Sequence, residues 1–341
     1  MPRPTELLLI MPTDKFAFLS IYPRYANKIL SGEKRLEFRK SWAANDVTAF
    51  VIYATTPIQK IVGIAYIKQV HQGSATALWR LARERRGGVS RRVLYDYFRS
   101  KPRGFAIEIE SVRPCSHQLK PEEFLPNFNP PQSFMYLDRS TFQHVEETIK
   151  KQPPKGRVIL IAGVHGVGKT TLCRHLADDT DLIHKSASQL IREEKQAAIA
   201  LNTKAVADIP GNQQLLIDAV TRMAESGRTL LLDGHLALLN AARKVEPLAT
   251  KVFADLGIDG IILIVAKPSQ ILSQLTKRDG NGFNLDEITA LQTIEIRRAK
   301  IVSEELGLPL IRVKPFDESS FAKAVRTLER NQSVDINCRA P

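Results

Sequence analysis

Short apolar runs, several of them alternating with polar positions, punctuate the first 110 residues at 16–21, 34–38, 49–54, 61–67 and 105–109, and each predicts a β-strand. Residues 25–30 carry apolar positions at helical spacing and stop at Gly32. Residues 77–98 also have the helical period, with a break at Gly87-Gly88. The pattern predicts a small mixed β-barrel or curled sheet flanked by helices.

Beyond residue 156 the rhythm changes. Strand-like runs at 158–162, 182–185, 229–232, 261–265 and 310–313 alternate with helical segments, and such alternation predicts a parallel sheet covered on both faces. Between the two regimes lie four prolines from Pro121 to Pro131 and the polar, proline-bearing stretch 150–156. We place the break in the second. The expected organisation is an α+β domain over 12–140, a linker over 141–156, an α/β domain over 157–330 and a tail over 331–341. A length of 341 residues suits two cores better than one.

Charge sharpens this division. The net charge is +13, yet residues 1–155 hold 25 Lys and Arg against 14 Asp and Glu, while residues 156–341 hold 24 against 22. A basic front half suits contact with a polyanion, or simply a soluble positive surface. The three cysteines, Cys115, Cys173 and Cys338, have no C-x-x-C spacing, which argues against a disulfide framework or zinc site. The apolar run at 7–11 ends at Pro12, too short for a signal-peptide core, and no stretch is long enough to span a bilayer. A cytoplasmic protein with no membrane partner is the expectation.

The chemistry begins after the run 158–161. Gly163-Val164-His165-Gly166-Val167-Gly168-Lys169-Thr170-Thr171 has P-loop spacing between a predicted strand and a predicted helix. Glycines let successive backbone N–H groups face phosphate oxygens, Lys169 reaches the β and γ phosphates, and the Thr170 hydroxyl serves magnesium. A ligand-free glycine turn explains neither the lysine nor the hydroxyl. ATP or GTP is expected here, with ATP and Mg2+ as the working pair.

Asp233-Gly234-His235 follows the run 229–232, so Asp233 sits at a strand end where it can hold magnesium or its waters. His235 is open to either a role in the site or ordinary packing. Phosphoryl transfer also needs positive charge at the reacting centre, often from an arginine on a lid. Arg278, in the glycine-bearing stretch 276–282, and Arg298, on the following helix, are candidates; each taken alone also fits a solvated surface arginine.

The motif 163–171, then Ser186-Ala187-Ser188-Gln189-Leu190, Asp233-Gly234-His235 and Glu295-Ile296-Arg297-Arg298-Ala299 together resemble archaeal-type adenylate kinases and related nucleotide kinases over roughly 157–314. The resemblance implies five parallel strands, magnesium-ATP on the P-loop and an acceptor monophosphate beyond the second strand. Ser188 and Arg192 match the acceptor side, Asp233 and His235 the Asp-x-His motif, and Arg298 the arginine after the lid. The lid departs from the family pattern: Gly280-Asn281-Gly282-Phe283 stands where such enzymes carry further arginines.

In the front half, the segment 22–39 with Tyr53-Ala54-Thr55-Thr56-Pro57 and Lys60-Ile61-Val62-Gly63 resembles an ASCH domain of the PUA-like superfamily over about 16–112. The resemblance implies recognition of RNA or a modified nucleotide. Lys34 matches the lysine of the small amidohydrolase members, but Glu37 replaces their threonine, so that activity is not carried over. Placed on one strand, Lys34, Glu37 and Arg39 would share a face able to read a base edge and hold its phosphate, or form a salt-bridge ladder.

Arg85, Arg86, Arg91 and Arg92 belong to the densest basic segment, interleaved with Trp79, Tyr95, Tyr97 and Phe98. Basic groups can follow a phosphate backbone while aromatics stack on bases. At least two of these aromatics are expected to be core. Joined, the halves predict an ATP-dependent phosphotransferase acting on a nucleotide-type acceptor, guided by a domain that binds nucleotide or nucleic acid, RNA before DNA. The alternative is an ATP-gated nucleic-acid-binding regulator with weak ATPase activity.

Overall fold

The computed structural model describes residues 15–43, 47–200, 209–240, 243–279 and 282–330. The chain divides into two compact units. The first lies within Met1–Ile21, Gly32–Thr55 and Gln59–Gln152, and the second within Tyr22–Ser31, Thr56–Ile58 and Pro153–Pro341.

Alternation at 15–21 yields strand β1 (Lys15–Ile21), followed by α1 (Pro23–Leu30), β2 (Leu36–Arg39), β3 (Val47–Ala54) and β4 (Lys60–Gly73). Helices α2 (Ala75–Glu84) and α3 (Arg91–Phe98), broken as expected around Gly87-Gly88, precede β5 (Gly104–Leu119), β6 (Phe134–Leu137) and α4 (Arg139–Lys151). The six strands run β2-β5-β4-β3-β1-β6, with β1 and β3 parallel and the other neighbours antiparallel. Arg39 of β2 donates to the carbonyl of Ser133, beside β6, at 3.0 Å. The sheet therefore curls until its two edges lie within one arginine's reach.

Two cores hold this unit. Phe16, Phe18, Val51 and Ile64 pack beneath Phe142, Val145 and Ile149 of α4. On the other side Leu36 and Phe38 meet Leu78, Leu94 and Phe98. The expected linker is thus mostly helix: α4 carries apolar residues every three to four positions and buries them on the sheet, so residues 141–151 belong to the first unit.

The second unit takes α1 and continues after residue 152 with β7 (Val158–Ala162) and α5 (Lys169–Asp178), then β8 (Ile183–Ser186), α6 (Ala187–Ala200), α7 (Ile209–Glu225) and β9 (Leu230–Asp233). A hairpin, β10 (Ala237–Leu239) and β11 (Val245–Pro247), leads to α8 (Thr250–Asp255), β12 (Gly260–Ile264), α9 (Pro268–Asp279), α10 (Leu285–Leu306), β13 (Leu310–Val313) and α11 (Glu318–Arg330). Five parallel strands in the order β13-β12-β7-β9-β8 form the sheet. Its middle strand β7 delivers the P-loop. Strands β7 and β12 are apolar throughout and fully buried, as both faces are covered. Among the described residues no helix is long and apolar enough to cross a membrane.

Candidate functional site

The P-loop leaves the C-terminal end of β7, where an open α/β sheet binds ligands. Gly163 has φ 144°, and a Cβ there would come within 2.7 Å of the Ile264 carbonyl oxygen. Gly168, with φ 95°, caps the N-terminus of α5 in the left-handed region that glycine adopts freely. Val164 and Val167 are buried in the core and anchor the loop. Their side chains are spent on the core, which leaves only their backbone groups to meet a ligand.

Thr170 Oγ1 donates to Asp233 Oδ2 at 2.7 Å, which joins the start of α5 to the end of β9. Lys169 Nζ donates to the carbonyls of Gly163 at 2.8 Å and Val164 at 3.2 Å, and lies 3.7 Å from Asp233 Oδ1. Burial pulls the Lys169 ammonium below its ordinary pKa against the opposing charges of Asp233 and Glu295. The predicted trio is therefore assembled. Among the described residues no group of three or more His, Cys, Asp or Glu side chains could enclose a metal. The adjacent Thr170 and Asp233 oxygens still fit Mg2+, which is usually held by one or two protein oxygens together with phosphates and water.

A residue to which the sequence assigned no role in the site organises the loop. Glu295 of α10 is 2% exposed and accepts hydrogen bonds from the backbone N–H groups of Gly163, Leu236 and Ala237. The Gly163 amide is thus spent on Glu295, contrary to the expectation that it faces phosphate. Burial pushes the Glu295 carboxyl above its ordinary value, with those N–H bonds and Lys169 opposing. A signal is present in the sequence: Ile288, Leu291, Glu295, Ala299 and Val302 form a buried helical stripe, with a carboxylate at a core position.

The P-loop opens into a cavity of about 860 Å³, which also includes Asp233, His235 and Ser188. His235 is held well below its ordinary pKa, first by burial and then by the charges of Lys169 and His165, so it is a neutral imidazole. Its ring centroid lies 4.0 Å from that of His165. Phe316, 61% exposed at φ 60°, lines the cavity beside Gly168 and belongs to no motif in the sequence.

The arginine candidates fare differently. Arg298 donates from Nε to the Leu248 carbonyl at 2.6 Å and from Nη2 to Thr250 Oγ1 at 2.7 Å. It braces the start of α8 and does not line the cavity. Arg192 is exposed and likewise outside the lining. Arg278 lies in the last turn of α9 with its side chain outside the described residues, as are Gly280 and Asn281 of the expected lid.

In the first unit, Lys34 precedes β2 rather than lying on it. The positions 34 and 37 differ by three, so strand alternation cannot place them on one face. They meet because the chain turns into β2: Lys34 Nζ lies 2.6 Å from Glu37 Oε2, and Arg39 Nη2 lies 3.1 Å from Glu37 Oε1. All three are buried, which excludes a solvated ladder. Ser20 Oγ and Arg39 Nε are buried without a partner among the described residues, although Arg39 Nη2 reaches the Ser20 carbonyl at 2.9 Å. Orphaned polar atoms of this kind suit a polar ligand or an ordered water.

A family model described as an AAA domain matches residues 162–292. An ASCH domain-containing ribonuclease of Zymomonas mobilis is 34% identical over 139 residues, which cover 39% of this chain and 91% of that protein. An adenylate kinase of Prochlorococcus marinus is 30% identical over 184 residues, or 52% of this chain and 92% of that protein. The chain belongs to both families: an ASCH domain is joined to an adenylate-kinase-type P-loop domain. The crystal structure of the Zymomonas mobilis ASCH protein aligns with 39% of this chain and 94% of its own length, at 29% identity and a TM-score of 0.37.

The ASCH domain holds a second charged cluster that the sequence did not disclose. Glu108 of β5 pairs with His71 at 2.8 Å, with Lys68 at 3.4 Å and with Arg85. Burial alone would raise its pKa, but the hydrogen bonds from these three groups outweigh it and keep Glu108 below the ordinary carboxylate value. Arg85 is thus committed to Glu108, while Arg86, Arg91 and Arg92 remain exposed. Arg91 lies over the Tyr95 ring at 5.2 Å, and Arg92 is 3.8 Å from Asp96. Of the interleaved aromatics, Phe98 is core, Trp79 packs against that core, and Tyr97 is exposed.

Proposed function

We propose that the adenylate-kinase-type domain is a phosphotransferase that moves the γ-phosphoryl group of ATP to a nucleotide-type acceptor in its cavity. The 2.7 Å hydrogen bond between Thr170 and Asp233, beside Lys169, carries this reading. Magnesium bound there would neutralise developing charge on the phosphates. Residues 164–168 would hold phosphate through backbone N–H groups, Lys169 would exchange its carbonyl partners for phosphate oxygens, and Thr170 and Asp233 would hold the magnesium or its waters. Phe316 offers its exposed face to the nucleobase.

The ASCH domain is proposed to bind RNA or a nucleotide at Lys34, Glu37 and Arg39, with Arg86, Arg91 and Arg92 following the backbone. A ribonuclease relative makes RNA the first polynucleotide to test. The bracing role of Arg298 supports the second reading, an ATP-gated RNA-binding regulator, because it removes one of the two arginines expected at the γ-phosphate. Incubation of the full chain with Mg2+, γ-labelled ATP and nucleoside monophosphates separates the two: label on an acceptor identifies the phosphotransferase, and label only in inorganic phosphate, stimulated by RNA, identifies the regulator.

A further inference from the structure

The curled sheet of the ASCH domain closes along a seam between β2 and β6, and aromatic rings stand on both sides of it. Arg39 donates from Nη1 to the Ser133 carbonyl at 3.0 Å, so the charged cluster of Lys34, Glu37 and Arg39 reaches the residue just before Phe134. Across the seam, Trp42 follows Arg39 by three residues. The Trp42 and Phe134 ring centroids lie 5.1 Å apart, and those of Phe134 and Tyr136 lie 5.6 Å apart with their planes at 90°. A row of three rings therefore runs from the edge of the cluster onto β6.

Strand alternation keeps these rings out of the core. Met135 and Leu137 turn to the core under α4, so Phe134 and Tyr136 occupy the opposite face. Trp42 and Phe134 are half-buried, while Tyr136 is 44% exposed. Phe134 meets Tyr136 edge to face, an arrangement that leaves at least one face of the Tyr136 ring open to another partner.

Cations flank the row. Lys15 Nζ lies 6.0 Å from the Tyr136 ring centre, at the outer limit of a cation–π contact. Lys40 Nζ lies 5.1 Å from the ring centre of Tyr97, which is itself exposed and close enough to Arg39 and Glu37 for both charges to act on its phenol. Open ring faces with lysines beside them are the two components of a surface for single-stranded nucleic acid: bases stack on the rings and ammonium groups follow the phosphates. A duplex keeps its base faces inside the helix and has no use for the rings.

We propose that Trp42, Phe134 and Tyr136 form a stacking platform for unpaired bases that neighbour the nucleotide held by the charged cluster, so that the ASCH domain takes an RNA strand of several nucleotides rather than a free nucleotide. The inference rests on the RNA reading above and extends it to residues outside the cluster. Each stacked base replaces water on a ring face, and Lys15 and Lys40 turn from the rings to the phosphates.

The test is fluorescence anisotropy of the full chain with a short, labelled, unstructured RNA across a salt series. The same strand annealed to its complement and a nucleoside monophosphate serve as comparators. Wild type is expected to bind the single strand more tightly than either. Tyr136→Ala should weaken that binding about fivefold or more, the lower end of the worth of one base-on-ring stack. The salt slope should stay unchanged, since no phosphate contact is lost. Tyr136→Phe keeps the ring and should bind within about twofold of wild type. The platform is overturned, and the cluster left as the nucleotide site, by Tyr136→Ala binding like wild type or losing affinity together with salt slope. Tyr136→Phe losing as much as the alanine variant, or a duplex or mononucleotide binding as tightly as the single strand, overturns it equally. RNA and mononucleotide that both fail to bind wild type would remove the nucleotide-binding reading of the ASCH domain itself, and the platform with it.

Discussion

Glu295 accepts a hydrogen bond from the backbone N–H of Gly163 at 3.1 Å, so helix α10 fixes the first residue of the P-loop. The same carboxylate takes the N–H groups of Leu236 and Ala237, just beyond Asp233-Gly234-His235. The P-loop and the segment after β9 therefore hang from one buried side chain. In Glu295→Gln the amide NH2 would oppose backbone donors, and a buried donor left without an acceptor costs about 1–3 kcal/mol. Denaturant melts should show that loss together with weaker ATP binding; unchanged ATP affinity would reduce Glu295 to a packing residue.

Thr170 and Asp233 are expected to act through the nucleotide-bound metal. Asp233→Asn keeps the shape and an acceptor for the Thr170 hydroxyl but removes the charge, and turnover should fall on the order of 100-fold, comparable to removal of one electrostatic stabiliser of a transition state. Titration of Mg2+ at fixed ATP checks it, since the variant should need more metal. An unshifted Mg2+ dependence would take Asp233 out of the metal site.

Arg298 provides a contrast between bracing and catalysis. Its bonds to the Leu248 carbonyl and Thr250 imply that Arg298→Ala lowers stability by roughly 1–3 kcal/mol through the groups left unpaired. An arginine that meets the γ-phosphate is worth about 10³-fold or more in turnover. Parallel measurement of melting and kcat distinguishes them: a melting loss with a modest rate change supports the brace, and an unchanged melt with collapsed kcat returns Arg298 to the reacting centre.

Glu37 makes the ASCH domain acid-sensitive. Burial alone would raise its pKa, but Lys34 and Arg39 outweigh it and hold the carboxyl below its ordinary 4.5. A depressed carboxylate contributes stability that is present above that ordinary value and lost as pH falls through the folded one. Acid melts of the wild type should therefore lose the ASCH transition below about pH 4.5. In Glu37→Gln this acid dependence should shrink, while stability at neutral pH drops about 3–5 kcal/mol because two buried cations lose their counter-charge.

How much of this is legible in the sequence follows from which constraints are local. The P-loop is readable because strand, glycines, lysine and hydroxyl are contiguous, and the five-strand sheet because buried parallel strands are unbroken apolar runs such as 158–162. The apolar pattern shows only half of strand β4 and about a third of β5, since beyond Ile67 and Ile109 the alternation dissolves into more exposed, largely polar residues. The hairpin β10–β11 has three residues per strand, too few for any period. Long-range pairing is invisible: Glu108 meets His71 and Arg85 only because the strands and helix converge, and Lys34 joins Glu37 through a turn rather than by alternation.

That convergence sets the RNA prediction. Arg85 is tied to Glu108, so of the four arginines singled out for RNA, Arg86, Arg91 and Arg92 remain. Replacing those three with alanine should lower the salt slope of RNA binding by about 0.7 for each phosphate no longer neutralised. An unchanged slope would assign them to the solvated face of α3 and its approach.

The measurement that bears most directly on the central claim is the fate of the γ-phosphate. Wild-type chain and Lys169→Ala would be incubated with Mg2+ and γ-labelled ATP, with nucleoside monophosphates and RNA supplied separately. The account predicts label in a phosphorylated acceptor with the wild type and none with Lys169→Ala, while RNA binding persists in both. Label released only as inorganic phosphate, whatever the acceptor and faster with RNA, would contradict it.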